Sequence, residues 1–349
     1  MKNILFICME KDSRLFTGGQ IYDNKIFNEI DELERFNVKK IPLETKLSKK
    51  ITLLSPLVYL CKGFNLKKTD ILIFNSSLFL RCFPLLLLFK IKGYNNIYTI
   101  HHHFIYQTLK GFKKCIYKIF EWSFLSLSDK LIIPSPYILD ILKSHIKTPK
   151  LLLWKIPFSK ETSVRPEPKK GNLTFMGTIE KRKGLHLLMK SLKILSGNNV
   201  SYSLTIAGEV VDKKYYDQLK RFISKNNLNV LFTGYLNDDD KEQLLSKTDL
   251  FVFPSSLEGF GMVLIEAQKF AIPIVCFNNS AMPYSVKHGL NGFCVKDGDE
   301  KEFAQYITTL INDRKMRESF SMEALKNLEN QNTPENFKSQ IRNYFLQQL

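Results

Sequence analysis

Two glutamates, Glu258 and Glu266, stand with seven residues between them around a glycine-containing loop, Glu258-Gly259-Phe260-Gly261. Before them lies a short apolar run, Leu250 to Phe253, stopped by Pro254 and two serines, which has the pattern of a buried parallel strand. After them Met262 to Phe270 has helical spacing, and Pro273 opens the next apolar run. The order is therefore strand, glycine loop, helix, strand. Such a loop leaves backbone N–H groups free at a helix N-terminus, where an anion is favoured. Ionised carboxylates only accept hydrogen bonds, so the flanking pair suits hydroxyl groups. A phosphate-bearing ligand with hydroxyl-rich groups on either side fits this chemistry.

In its full context, PSSLEGFGMVLIEA, the pair resembles the glutamate–seven residues–glutamate motif of the family 4 retaining glycosyltransferases. The resemblance implies an α/β chain of the GT-B fold, two Rossmann-like domains with a cleft between them. It also implies that Glu266 holds ribose hydroxyls and Glu258 donor-sugar hydroxyls. Backbone N–H groups of Gly259, Phe260, Gly261, Met262 and Val263 would face the diphosphate. The segment FMGTIEKRKGLH, residues 175–186, is similar to the family's G-R-L-x-x-x-K-G stretch. Lys183 matches its lysine and would neutralise the departing diphosphate. Thr178 stands where the family usually has arginine, so one cationic contact is lost unless Arg182 reaches round to supply it. Gly208 and Gly234 end strand-like runs similar to the family's nucleotide-side segments, and Gly18-Gly19 to its N-terminal glycine pair.

Three histidines follow the run Asn96 to Ile100. Neighbours on an extended chain point to opposite faces, so they make a poor metal site, and no Asp-x-Asp accompanies them. The resemblance assigns one histidine after Thr-x-His to positioning of the reacting sugar or acceptor. Thr99-Ile100-His101 fits, with His102 the alternative. The catalytic candidates are His101, Glu258 and Lys183. No metal and no cofactor is expected beyond a nucleoside diphosphate sugar as donor substrate.

These residues require strands that alternate with helices, their polar groups gathered at the strand carboxyl ends. Asn3–Met9, Ile71–Phe74, Asn96–Ile100, Leu131–Ile133 and Leu152–Ile156 read as the strands of a first domain, residues 1–160. A charged, proline-containing stretch, residues 161–170, reads as a linker. A second alternation follows over 171–332: Leu173–Met176, Ser203–Ala207, Val230–Phe232, Leu250–Phe253, Ile274–Phe277 and Phe293–Val295. Thr333-Pro334-Glu335 has the form of a helix start, with Thr333 as cap. The resemblance implies that this last helix, 333–349, crosses back onto the first domain, which would take the acceptor while the second takes the donor.

The chain of 349 residues carries a net charge of +17, and residues 51–150 hold 14 Lys and Arg against 4 Asp and Glu. An anionic partner is implied. No nucleic-acid motif is present. The basic, aromatic stretch Leu109–Leu127, with Lys110, Lys113, Lys114 and Lys118, and the apolar stretch Leu78–Lys92 resemble interfacial helices, or helices that cover a sheet. The scattered cysteines, without a Cys-x-x-Cys pair, indicate a reducing compartment. The first residues read as a strand rather than a signal peptide, and no run spans a bilayer. The expected place is the cytoplasm, peripherally on the inner face of the cytoplasmic membrane. The expected acceptor is a glycan or lipid-linked glycan of a bacterial surface polysaccharide such as O-antigen or capsule. The rival readings are a non-catalytic binder of membrane or nucleic acid on the same scaffold, and a nucleotide-sugar isomerase or phosphorylase.

Overall fold

The computed structural model describes residues 2–10, 18–44, 66–159 and 168–348. Most of the expected linker and Cys61 lie outside them. The chain forms two compact units, Met1–Pro157 with Asn332–Leu349, and Phe158–Gln331.

The first unit is built on six strands: β1 (Lys2–Glu10), β2 (Phe36–Glu44), β3 (Ile71–Asn75), β4 (Ile97–Ile100), β5 (Lys130–Ile133) and β6 (Leu151–Leu153). They pair in parallel in the order β2-β1-β3-β4-β5-β6. The inner strands β3 and β4 are wholly buried, as their unbroken apolar runs require. Strand β2 escapes the sequence pattern because it is an edge strand. Its positions Asn37, Lys39 and Lys40 are exposed, and Pro42 is tolerated where no further strand pairs among the described residues. Strand β6 stops at Leu153, short of the expected Ile156, although Trp154 N–H still bonds to Ile133 O at 2.9 Å.

The last helix, Pro334–Leu346, belongs to this first unit. Thr333 caps it, its hydroxyl accepting from Asn336 N–H. Its buried stripe is Phe337, Ile341 and Phe345. Phe337 lies against Tyr22, and Phe345 against Phe36, Tyr98 and Trp154. Lys338 and Arg342 both donate to Glu32, at 2.9 and 2.8 Å. Each large apolar side chain so buried contributes about 1.5–3 kcal/mol, whereas ion pairs this exposed to water contribute little.

The second unit holds β7 (Asn172–Met176), β8 (Ser203–Ala207), β9 (Val230–Gly234), β10 (Leu250–Phe253), β11 (Ile274–Phe277) and β12 (Gly292–Val295). Their order, β12-β11-β10-β7-β8-β9, is that of a doubly wound dinucleotide-binding sheet. The chain reverses direction across the sheet between β7 and β10. Ligands of such sheets bind outside the carboxyl ends of the strands at that point.

Candidate functional site

Residues that follow β7 and β10 meet at this reversal, although more than seventy positions separate them in the sequence. After β7 the chain passes Gly177 and Thr178, makes a tight turn over Lys181–Lys183, and enters the helix Leu185–Gly197 through Gly184. Gly184 has φ +72°, and a Cβ there would lie 1.9 Å from Pro254 O. Only glycine allows the two loops this approach. The contact is fixed further by Ser256, whose N–H and hydroxyl both donate to Arg182 O at 2.9 Å.

The centre of the site is the Glu258 carboxylate. Its Oε1 accepts from Lys183 Nζ at 2.6 Å, Ser255 Oγ at 2.7 Å and Arg182 Nη1 at 3.3 Å. Its Oε2 has no protein donor among the described residues. Burial pushes this carboxyl up, but Lys183 and Arg182, with the hydrogen bonds from Lys183 and Ser255, outweigh burial and hold it below the ordinary value. Glu258 is therefore ionised and its Oε2 remains free to accept. Arg182 is itself held by Leu257 O at 2.6 Å and Glu180 Oε1 at 2.8 Å, and Thr178 donates to the same Glu180 oxygen at 2.9 Å. Thr178 thus helps to fix the guanidinium that stands in its neighbourhood.

Gly261, at φ +79°, turns the chain into the helix Met262–Lys269, whose N-terminus has no side-chain cap. Phe260 stacks on Phe158, ring centroids 5.7 Å apart. Glu266, one turn along, is half-buried and has no hydrogen-bond donor from the protein among the described residues. Burial raises its pKa; Lys241 and Lys269 oppose the rise and Asp238 adds to it. Gly177, Gly208 and Gly234 follow one another across the strand ends, linked by Gly177 N–H to Ala207 O and Gly208 N–H to Gly234 O. A Cβ on Gly208 would lie 2.0 Å from Gly177 O, so this glycine also serves close backbone packing.

In the first unit the histidine segment follows β4. His101 is fully buried. Its Nδ1 bonds to Ser76 Oγ at 3.0 Å, while Nε2 is buried without a partner. Burial pushes its pKa well below the ordinary value, helped by His103 and His102. His102 pairs with Asp23 Oδ1 at 2.8 Å, and Asn75 donates to the other Asp23 oxygen. Gly19 lies under the His102 ring, where a Cβ would meet it at an ordinary 3.5 Å. Gly18 begins the helix Gly18–Asp31 and is exposed. Among the described residues no group of three or more His, Cys, Asp or Glu is placed to hold a metal ion.

Sequence reasoning did not single out Ser255, Ser280, Glu180, Lys241 or Asp23. Ser280 accepts from Glu258 N–H at 2.9 Å and lies in the polar run Asn278-Asn279-Ser280 after β11. Its position at a strand carboxyl end was the available signal.

The two six-stranded sheets have the arrangement of the GT-B fold. The family model for glycosyl transferases group 1 matches residues 159–327. That match spans nearly all of the second unit, and the chain as a whole has the GT-B fold. A capsular polysaccharide biosynthesis glycosyltransferase, CapM of Staphylococcus aureus, is 33% identical over 167 residues, 48% of this chain and 42% of that protein. An uncharacterised 41.2 kDa protein in the cps region of Klebsiella pneumoniae is 27% identical over 313 residues, 84% of each chain. The chain thus spans less than half the length of one of these relatives and most of the other. Among solved structures, Anabaena HepE in complex with UDP and glucose superposes with a TM-score of 0.75 over 99% of both chains, at 16% identity.

Proposed function

We propose that this protein is a retaining glycosyltransferase, independent of divalent metal, that moves a sugar from a nucleoside diphosphate sugar to a hydroxyl of a glycan or lipid-linked glycan. The observation that carries this reading is the Glu258 carboxylate, with two cations and a serine on one oxygen and the other oxygen open, beside an uncapped helix start. Glu258 Oε2 accepts hydroxyls of the donor sugar. Glu266 accepts the ribose hydroxyls. Lys183 and the backbone N–H groups of Phe260 to Val263 stabilise charge on the departing diphosphate, the work that a metal does at other sites. Arg182 supplies the second cation in place of the arginine absent at position 178. The departing phosphate takes the proton of the acceptor hydroxyl on the same face, which keeps the anomeric configuration. His101 belongs to the acceptor side of the reaction, its Nε2 being a buried polar atom that lacks a partner among the described residues.

Turnover of a panel of UDP-, GDP- and ADP-sugars tests this reading. UDP-glucose comes first, because HepE was crystallised with UDP and glucose. The expected result is nucleoside diphosphate release that survives chelation by EDTA, and a product whose anomeric proton coupling matches the donor. Absence of both turnover and calorimetric nucleotide binding across the panel overturns it.

The relatives named for capsule biosynthesis and for the cps region support a surface polysaccharide as the product. The helix Gly111–Leu127 supports an acceptor on the inner face of the cytoplasmic membrane. Of this helix only Glu121, Phe124 and Leu125 are buried. Phe112 is 79% and Ile119 67% exposed, beside exposed Ile116 and Phe120. Lys110, Lys113, Lys114 and Lys118 are exposed among them. Tyr117 and Trp122, by contrast, pack inward on Phe79 and Phe104. Each such lysine adds about 1 kcal/mol near an anionic surface, and among the described residues no helix is long and apolar enough to cross a membrane. Co-sedimentation with phosphatidylglycerol vesicles at low salt, lost at high salt and with phosphatidylcholine, is the expected outcome. Equal and negligible binding to both removes the membrane reading.

A further inference from the structure

Glu121, twenty positions beyond His101 in the chain, is a fully buried acid. It projects from the helix Gly111–Leu127 and accepts two backbone hydrogen bonds, from Ile105 N–H at 2.9 Å and Tyr106 N–H at 3.1 Å. These two amides open the turn Ile105–Thr108, which directly continues the histidine segment. The next residue on the helix, Trp122, stacks on Phe104 with ring centroids 5.1 Å apart, and Phe104 in turn lies against the His101 ring at 4.4 Å. One carboxylate and one indole thus clamp the segment that begins at His101. At its start the segment is held by His101 N–H to Ile132 O at 2.9 Å.

We propose that Glu121 is a positioning residue: by fixing the amides of Ile105 and Tyr106 it sets the place of the His101 ring for the transfer reaction. The inference rests on the role assigned to His101 above. A buried carboxylate is a costly means of satisfying two N–H groups that water or a backbone carbonyl could serve, and burial pushes Glu121 up to about 7. The two amide bonds work against that rise. The titratable groups of this network are Tyr106 and His101 on the segment, Tyr117 and Lys118 on the same helix, Tyr137 on the helix Pro136–Lys143, and His145 against the Trp122 ring. None of them hydrogen-bonds to the carboxylate. Lys118 lies over the Tyr106 ring at 5.8 Å instead. Ionisation of Glu121 strengthens both amide bonds, because charge-assisted hydrogen bonds are the stronger kind.

The experiment uses the full chain with ¹³C-labelled histidine, in the wild type and in Glu121→Gln, Glu121→Asp and Glu121→Ala. Histidine ring signals are followed with pH, alongside release of nucleoside diphosphate from whichever nucleotide sugar the panel selects. In the wild type the His101 signal does not titrate in the ordinary histidine range. In the Ala and Asp variants it shifts and titrates there, kcat falls about 10²-fold, and KM for the donor is unchanged. Gln, which keeps one acceptor, loses less, and the wild-type advantage over it grows between about pH 6 and about pH 8 as Glu121 ionises. A His101 signal unmoved in folded Ala and Gln variants overturns the proposal. A signal that moves while kcat stays within about twofold overturns the catalytic role of the histidine segment, and Glu121's share in it, and leaves the donor site in the second unit standing.

Discussion

The two units place glycines and polar residues at the same position, the carboxyl ends of a parallel sheet, yet arrange them by opposite means. In the second unit the glycine is obligatory: a Cβ at Gly184 would overlap Pro254 O. In the first unit Gly19 meets only the edge of the His102 ring, at a distance any alanine tolerates. The second unit concentrates charge, with Lys183 and Arg182 converging on Glu258. The first buries His101, which burial holds uncharged, and pairs His102 with Asp23. A cationic, tightly closed loop suits a diphosphate whose charge grows during reaction. A neutral, buried histidine suits a hydroxyl or a sugar ring.

The largest effect expected is that of Glu258→Ala, which removes the carboxylate between the two cations. Turnover should fall about 10²–10³-fold, with nucleotide affinity little changed, and Glu258→Gln should recover part of it. If turnover survives in the Ala variant, charge concentration is not what distinguishes the second unit. The same carboxyl, held below its ordinary value, contributes stability that is present above the ordinary carboxylate pKa and is lost as pH falls through the lowered one. The stability margin of the wild type over Glu258→Gln, read from unfolding monitored by circular dichroism, should therefore be largest near neutral pH and shrink as pH falls through the lowered value.

Next in size is the contrast between glycines. Gly184→Ala should destabilise the fold by about 2–3 kcal/mol, from left-handed strain and overlap with Pro254. Gly19→Ala should change stability by less than about 0.5 kcal/mol. Thermal melts of both variants check the pair, and similar melting temperatures would erase the distinction drawn here.

A smaller effect is expected at Glu266. Glu266→Ala should weaken nucleotide binding about tenfold by calorimetry, roughly 1.4 kcal/mol, with kcat nearly unchanged at saturation. Burial raises its pKa, so the acceptor form is lost early as the solution is acidified. Affinity should fall as pH drops through that raised value in the wild type and stay flat in the Ala variant. For stability the sign is reversed: a raised carboxyl pKa favours the folded state at low pH and less so above it.

Much of the second unit was legible in the sequence, because strands such as β10 and β11 are buried on both faces and read as unbroken apolar runs. Leu250–Phe253 and Ile274–Phe277 have the limits the pattern implies. The edge strand β2 was not legible, since half of its side chains face water and its charges mask the alternation.

Local chemistry, then, was written in the chain: a helix start beyond Gly261, a cap at Thr333, an acid at Glu258, cations at 182 and 183. These follow from residue type and short-range sterics, which act over a few positions. Tertiary structure decided which of them meet. The reversal between β7 and β10 carries Lys183 to Glu258, and only the packed loops reveal that Ser255 and Ser280 complete the grip while Glu180 turns Arg182. Likewise nothing in the spacing of Glu121 and His101 announces a connection. It exists because helix Gly111–Leu127 folds back over the strand end, and a buried carboxylate must find donors wherever the backbone offers them.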